Sequence, residues 1–219
     1  MTISHHPDDS LLLDFAAGAM KEPLALLVAT HASMCPKCIT TIARLERIGG
    51  VMLQESEEPG ARADPGLRAA ILARLDVSPP ANHPSTARSA ASALLPQPLQ
   101  SYAWQQVAQG RWRAWGPGVE QISLFPARKD FSARLLRIRG GARMLAHGHH
   151  GEELTLVLAG GFSDISGHFL RGDVAEKGPA DEHQPVADTG EDCICLAVTD
   201  AHLRLKGVIG AVLNPFVRR

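Results

Sequence analysis

Residues 31–38, HASMCPKC, decide the fold of the first part of the chain because they place one histidine and two cysteines close together. An H-x3-C-x2-C spacing offers three ligands of a tetrahedral zinc site from one short piece of backbone. His31 continues an apolar i, i+3, i+4, i+7 stripe that predicts a helix, and Pro36 favours the start of a second helix directly after Cys35. A metal ion here would join two short helices at their junction.

A structural zinc site normally has four protein ligands, so residues 31–38 leave one ligand to come from elsewhere. The nearest upstream candidates are His5 and His6. Two other interpretations of the same residues are a core histidine with two buried free thiols, and a thioredoxin-like redox pair at the C-x2-C spacing. The additional histidine and the lack of a surrounding βαβ pattern favour the metal site.

The composition is that of a folded protein with room for one large or two ordinary domains: 219 residues, 45% hydrophobic and 21% charged. The net charge of −1 gives no electrostatic reason to expect direct binding of nucleic acid. Four cysteines are too few for a disulfide framework, and the N-terminus lacks the basic and apolar regions of a signal peptide. We therefore expect reduced thiols, a cytoplasmic location and no membrane anchor.

The hydrophobic period divides the chain into two domains and a linker. Residues 1–76 are predicted to form a small four-helix domain, in which Gly49 and Gly50 stop or fray the third helix. Residues 77–101 contain many prolines among small polar residues and predict an extended linker. Residues 102–219 switch to a period of two, which predicts an antiparallel sandwich or barrel. Its strands are expected at residues 111–115, 119–125, 133–138, 154–158, 173–176, 193–198 and 203–208.

A second histidine cluster lies in the β half, within the spacing G-x5-H-x-H-x3-E-x6-G at residues 141–160. His147, His149 and Glu153 have the same parity, so on a strand they would point to one side. Two imidazoles and a carboxylate suit a divalent metal ion, and His183 could add a fourth ligand from a neighbouring strand. The alternative is a polar strand end with solvated histidines.

Three further residues of the β half carry weaker signals. His150 has the opposite parity to its neighbours and is expected to face away from the cluster. Cys193 and Cys195 share one face of a predicted strand, where a disulfide between positions i and i+2 would be strained. We expect buried unreactive thiols here, with an oxidant-sensing role as the alternative.

The spacing at residues 141–160 closely resembles the first motif of the cupin family, which implies a jelly-roll β-barrel. The family's second motif is partly present. Gly172, Asp173 and the spacing from Pro179 to His183 match it, whereas the usual P-x-G near the histidine is absent.

The combination of a helical H-x3-C-x2-C module, a Pro-rich linker and a cupin resembles the ChrR-type zinc-binding anti-sigma factors over nearly the whole chain, including residues 192–200. The resemblance implies that residues 1–76 bind zinc and hold an extracytoplasmic-function sigma factor. It also implies that the cupin domain binds a second zinc, or another divalent ion, and is needed for a response to singlet oxygen or a related oxidant. The ligands implied for the two sites are His6, His31, Cys35 and Cys38, and His147, His149, Glu153 and His183. His6 is chosen over His5 from the resemblance alone.

An enzyme is the alternative from another functional class. A cupin with three histidines and a glutamate could hold iron and act as a dioxygenase. The helical module, which such an enzyme would not need, favours a regulator, so we predict that the chain is not an enzyme. Surplus apolar faces on four short helices are also compatible with a protein partner.

Overall fold

The computed structural model describes residues 2–56, 64–75, 95–125, 131–200 and 203–205, with helices first and strands after them. The helices are α1 (Asp9–Ala16), α2 (Glu22–Ala32), α3 (Pro36–Glu55), α4 (Pro65–Leu75) and α5 (Gln97–Ala108). The strands are β1 (Arg113–Gly116), β2 (Val119–Ser123), β3 (Ser132–Ile138), β4 (His147–His149), β5 (Glu153–Ala159), β6 (Gly161–Asp164), β7 (Gly167–Leu170), β8 (Val174–Lys177), β9 (Glu182–His183), β10 (Val186–Ala187), β11 (Cys193–Thr199) and β12 (Leu203–Leu205). None of the helices in these ranges has both the length and the apolar composition that crossing a membrane requires.

The strands form three antiparallel sheets, which confirms the predicted antiparallel β domain. The largest has six strands in the order β1-β2-β3-β11-β5-β8. The two smaller sheets have the orders β10-β6-β7 and β12-β4-β9. A tight turn at Gly160 connects β5 to β6 with φ +63°, and a Cβ atom there would lie 2.7 Å from the backbone oxygen of Asp192. The final glycine of the cupin-like spacing is thus required by a close approach of two backbone segments.

The central strand β11 is buried on both faces, because each face of the six-stranded sheet is covered by different elements. Cys193, Cys195 and Ala197 pack with aromatic residues of β6 and β7 in one core. Ile194, Leu196 and Val198 alternate with them and pack in a second core on the opposite face. Alternation of side chains along a strand explains why seven successive residues of β11 are all buried.

Helix α2 belongs to two cores at once. Leu26 and Leu27 pack with α5 and with the outer face of the six-stranded sheet. Val28 and Ala32, on another side of the helix, pack with α1 and α3 around the cysteines. The helical module and the β domain therefore share a hydrophobic core through α2.

Helix α1 has a side-chain cap at its N-terminus, whereas α3 does not stop at Gly49 and Gly50 as predicted. Asp8 caps α1 by accepting a hydrogen bond from the Leu11 N–H at 2.9 Å. Helix α3 continues through Gly49 and Gly50 to Glu55. A glycine inside a helix costs about 1 kcal/mol relative to alanine, which lowers helix stability without ending it.

The predicted linker also differs from the structure at its C-terminal end. Residues 97–101, assigned to the linker, form the first turns of α5, in which Pro98 occupies the first turn and Leu99 is fully buried. Proline is tolerated there because the first N–H groups of a helix have no partner within the helix. Residues 77–94 of the predicted linker lie outside the described residues, and the domain boundaries stay a prediction.

Candidate metal centres

The first cluster lies where α2 ends and α3 begins. His31 is in the last turn of α2, Cys35 precedes the first residue of α3, and Cys38 is in the first turn of α3. His6 reaches the same point from the extended segment before α1. The four ligand atoms lie within 4.8 Å of one another, and the side chains of His31, Cys35 and Cys38 are buried.

The spacing of these atoms fits a tetrahedral metal ion. His6 Nδ1 lies 3.4 Å from Cys35 Sγ and 3.5 Å from Cys38 Sγ, and His31 Nε2 lies 3.2 Å from Cys38 Sγ. Ligands of a tetrahedral zinc with these donors would be about 3.3–3.8 Å apart, given zinc–nitrogen bonds near 2.0 Å and zinc–sulfur bonds near 2.3 Å. The three observed separations are already close to this range.

The protonation of the cluster also suits a metal ion. His31 Nδ1 lies 2.8 Å from the carbonyl oxygen of Gly172. Because a carbonyl only accepts, this nitrogen carries the proton and Nε2 presents its lone pair to the cluster. Burial raises the pKa of Cys38 to about 12 and lowers the pKa of His31. Without a cation, Cys38 and His31 are therefore uncharged, and metal binding releases the thiol proton of Cys38.

The second cluster lies inside the β domain. His147 and His149 are on β4, Glu153 begins β5, and His183 ends β9 opposite His147. All four side chains are buried, and their ligand atoms lie within 4.8 Å of one another. His150 is exposed, as its parity predicts.

Two histidines of the second cluster present lone pairs to each other. His147 Nδ1 donates to the Leu145 carbonyl at 2.7 Å, and His183 Nδ1 donates to Asp164 Oδ2 at 3.0 Å. Their two Nε2 atoms are therefore unprotonated, yet they lie only 3.0 Å apart. His149 Nδ1 is buried and has no hydrogen-bond partner in the described part of the chain. The other ring nitrogen of this residue, His149 Nε2, lies 3.1 Å from His183 Nε2. A cation between the Nε2 atoms would remove the lone-pair repulsion, so the donor set fits a metal ion.

Burial keeps the histidines of the second cluster neutral. It lowers the pKa of His147 to about 4 and that of His149 to about 3. Burial also raises the pKa of Glu153 to about 7. Asp164 stays ionised because hydrogen bonds, including those from Ser166, outweigh its burial and lower its pKa to about 2. Neutral imidazoles are the form that binds metal ions.

Two spaces of different size adjoin the second cluster. A cavity of about 30 Å³ between the sheets is lined by Glu153 and by the buried thiol-bearing residue Cys195, among others. A groove of about 540 Å³ opens to solvent and reaches His147 and His183. Small solutes can therefore approach the cluster from outside the domain.

The structure places the remaining sequence candidates and adds residues that the sequence did not indicate. His5 is outside the first cluster, because its ring packs against Phe169 and its backbone is bonded to Asp173. Cys193 and Cys195 are buried free thiols. Asp164, which accepts a hydrogen bond from the candidate ligand His183, carries no sequence signal because its partner is distant in the chain. Gly172 matches the cupin-like second motif, but its contact with His31 could not be predicted from that motif.

Comparison with known proteins shows one family. Residues 100–202 match the model of the ChrR cupin-like domain. The anti-sigma-E factor ChrR of Cereibacter sphaeroides is 41% identical over 218 residues, with 100% of both chains covered. The chain belongs to the ChrR family of anti-sigma factors. Membership of this family confirms the prediction of a regulator and not an enzyme.

A solved structure of the same family has the same fold. A chain in the crystal structure of Rhodobacter sphaeroides SigE in complex with the anti-sigma ChrR is 40% identical to this chain. The match covers 91% of this chain and 100% of that chain, with a TM-score of 0.76. The fold described above, a helical module followed by a cupin-like domain, is therefore similar to that of an experimentally determined structure.

Proposed function

We propose that the chain is an anti-sigma factor that sequesters an extracytoplasmic-function sigma factor through residues 1–76. A signal sensed through the metal-binding cupin domain, residues 102–219, then releases the sigma factor. The observation that carries this proposal is the set of exposed apolar side chains on α3 and α4. Because a sigma factor acts on RNA polymerase, we place this function in the cytoplasm.

The exposed apolar surface is concentrated in the helical module. Nine of the twelve large apolar side chains that are exposed in the described ranges lie on these two helices. They are Ile39, Ile48, Val51, Met52, Leu53, Leu67, Ile71, Leu72 and Leu75. Folded proteins rarely leave so many such groups in contact with water unless a partner covers them. Amphipathic helices of this kind bind partners through their apolar faces. The SigE–ChrR complex supports a sigma factor as that partner.

We further propose that each cluster binds one zinc ion. Two cysteines and two histidines form a donor set typical of structural zinc, which would stabilise the small core around α1, α2 and α3. Three histidines and a glutamate suit zinc as well as other divalent ions. In this proposal the zinc of the first site stabilises the helical module. The second site, which adjoins a solvent-open groove, senses the signal.

The proposed signal is singlet oxygen or a related oxidant. Support comes from the family resemblance, from the thiols in both domains, and from the groove through which small solutes reach the second cluster. Sulfur and imidazole groups are the side chains most open to such oxidants. Modification near the second cluster would need to change the free energy of sigma binding by about 1–3 kcal/mol to alter release severalfold or more.

Co-purification with the sigma factor tests the proposal. The tagged chain is expected to bring down one extracytoplasmic-function sigma factor from native extract, identified by mass spectrometry, and to inhibit its transcription in vitro. Met52→Glu and Leu72→Glu should abolish both effects because a charge would be buried at the interface. Ile165→Glu, at an exposed apolar residue of the β domain, is the matched control and should bind normally. Inhibition that survives both helix substitutions would refute this surface as the sigma-binding face.

A further inference from the structure

The first cluster is in direct contact with the β domain at the turn between β7 and β8, residues 171–173. Gly172 accepts the hydrogen bond from His31 Nδ1. Its φ of +96° favours glycine, and a Cβ atom added there would lie 2.6 Å from Ile3 Cδ1. Ile3 of the N-terminal segment and His31 of α2 therefore both meet the β domain at Gly172.

Asp173 holds the segment that carries His6. Its Oδ1 accepts the backbone N–H groups of Ser4 at 2.7 Å and His5 at 2.9 Å, and its Oδ2 accepts the Leu170 N–H at 2.9 Å. The side chain is buried, and although burial opposes ionisation, these hydrogen bonds lower the pKa of Asp173. This buried carboxylate accepts backbone N–H groups from the N-terminal segment and from the β domain, and so holds the segment against the domain.

The N-terminal segment continues along β8 after this contact. The Val174 N–H donates to the His5 carbonyl at 3.1 Å, and the Asp8 N–H donates to Glu176 Oε1 at 3.0 Å. His6 thus lies between two anchored residues. Its position in the cluster depends on contacts with the β domain.

We propose that the β7–β8 turn is the outer coordination shell of the helical metal site, with Gly172 orienting His31 and Asp173 positioning His6. The β domain thereby sets how tightly the helical site holds its metal. Residues that orient metal ligands in this way typically change metal affinity about 10–100-fold when removed. Asp173 is a positioning residue, since its hydrogen bonds go to Ser4, His5 and Leu170, none of which is a candidate ligand.

The same stretch of chain also holds a ligand of the second cluster. Asp164, at the end of β6, accepts the His183 Nδ1–H and pairs with Lys177 Nζ at 3.0 Å. Lys177 ends β8, the strand that begins directly after Asp173. Residues 164–177 therefore contact ligands of both clusters. The inference rests on the proposed function only in assuming that the first cluster binds a metal.

Cobalt binding to the full-length protein tests the proposal. Co²⁺ bound to thiolates gives a sulfur-to-metal charge-transfer absorption, which reports the first cluster alone because the second cluster contains no sulfur ligand. Titration against a chelator of known affinity yields the cobalt affinity of that site. Asp173→Ala is expected to weaken it about 10–100-fold. Asp173→Asn, which keeps an oxygen for the Ser4 and His5 N–H groups, should recover part of the loss.

Two further variants make the result decisive. Asp192→Ala is the matched control, because this aspartate binds the Gly140 N–H within the β domain at 3.2 Å and should leave cobalt affinity unchanged. Deletion of residues 2–5 removes the Ser4 and His5 N–H groups that Asp173 binds while leaving the sequence of the β domain unchanged, and should weaken cobalt binding as Asp173→Ala does. If Asp173→Ala does not fold, this deletion variant tests the proposal in its place.

The contrary outcomes are distinct. Wild-type cobalt affinity in the deletion variant, or an equal loss in Asp192→Ala, overturns the outer-shell role while leaving sigma binding untouched. Absence of the charge-transfer band in the wild-type protein overturns the metal site itself and this inference with it. Loss of sigma co-purification with normal cobalt behaviour refutes only the proposed function.

Discussion

His31 and Gly172 are separated by 141 positions in the chain, yet the imidazole Nδ1 of one donates to the carbonyl oxygen of the other at 2.8 Å. This bond joins a candidate ligand of the helical module to a turn of the β domain. Together with the core shared through α2, it makes the two parts of the chain physically interdependent.

The shared core leads to a prediction about stability. Leu27 is fully buried between α2, α5 and the six-stranded sheet. Leu27→Ala should lower the free energy of unfolding by about 2–5 kcal/mol, because it leaves a cavity in this core. Urea unfolding followed by circular dichroism and by tryptophan fluorescence should show one common transition. Leu13→Ala, at a residue 53% exposed, should change stability by less than about 1 kcal/mol. Two separate transitions, with only the helical signal shifted, would contradict the shared core.

The first cluster leads to a prediction about metal content. Replacing both Cys35 and Cys38 by serine should remove one equivalent of zinc and unfold or loosen the helices around them, because metal binding supplies folding free energy to a small core. Metal analysis and circular dichroism of the purified protein measure both effects. Cys193→Ala, at a buried thiol outside both clusters, should retain two equivalents. Full helicity and sigma binding in a metal-free double variant would argue against a structural zinc.

The second cluster leads to a prediction about signalling. His147→Ala or Glu153→Ala should each remove the other equivalent of metal and change induction, while metal in the first site and sigma binding persist. His150→Ala should behave as wild type because this side chain is exposed. Metal content and reporter induction are compared for the three variants. Normal induction in the His147 variant, with loss of response in the His150 variant, would show that the second cluster is not the sensing site.

The metal-free protein should become less stable as the pH falls from about 6.5 to about 4.5. The folded-state pKa values of His147, about 4, and His149, about 3, lie below the usual 6.5. The unfolded chain therefore binds more protons in this range, and stability is lost on acidification. Glu153, with its pKa raised from 4.5 to about 7, acts in the opposite direction but is only one group against two.

Thermal melts of chelator-treated protein across this pH range measure the effect. The melting temperature should fall with pH, and the slope should flatten in a His147→Asn, His149→Asn double variant. An unchanged slope in that variant would show that these histidines do not control the acid sensitivity.

Local patterns in the sequence determined much of the architecture and of both clusters. The H-x3-C-x2-C spacing brings His31, Cys35 and Cys38 together across one helix junction, and alternation on β4 directs His147 and His149 to one side. Helical and strand periods act over a few residues, so they are visible in a single sequence. They also predicted the β domain and a helical N-terminal module, although not the full length of α3 or the existence of α5.

Only the tertiary structure decided which distant residues meet. The choice of His6 over His5 at the first cluster depends on Asp173, which fixes the register of the N-terminal segment against β8. The burial of Leu27 against the sheet, and the bond between His31 and Gly172, likewise join residues far apart in the chain. Such contacts follow from the packing of whole elements, which leaves no periodic mark on the residues that make them.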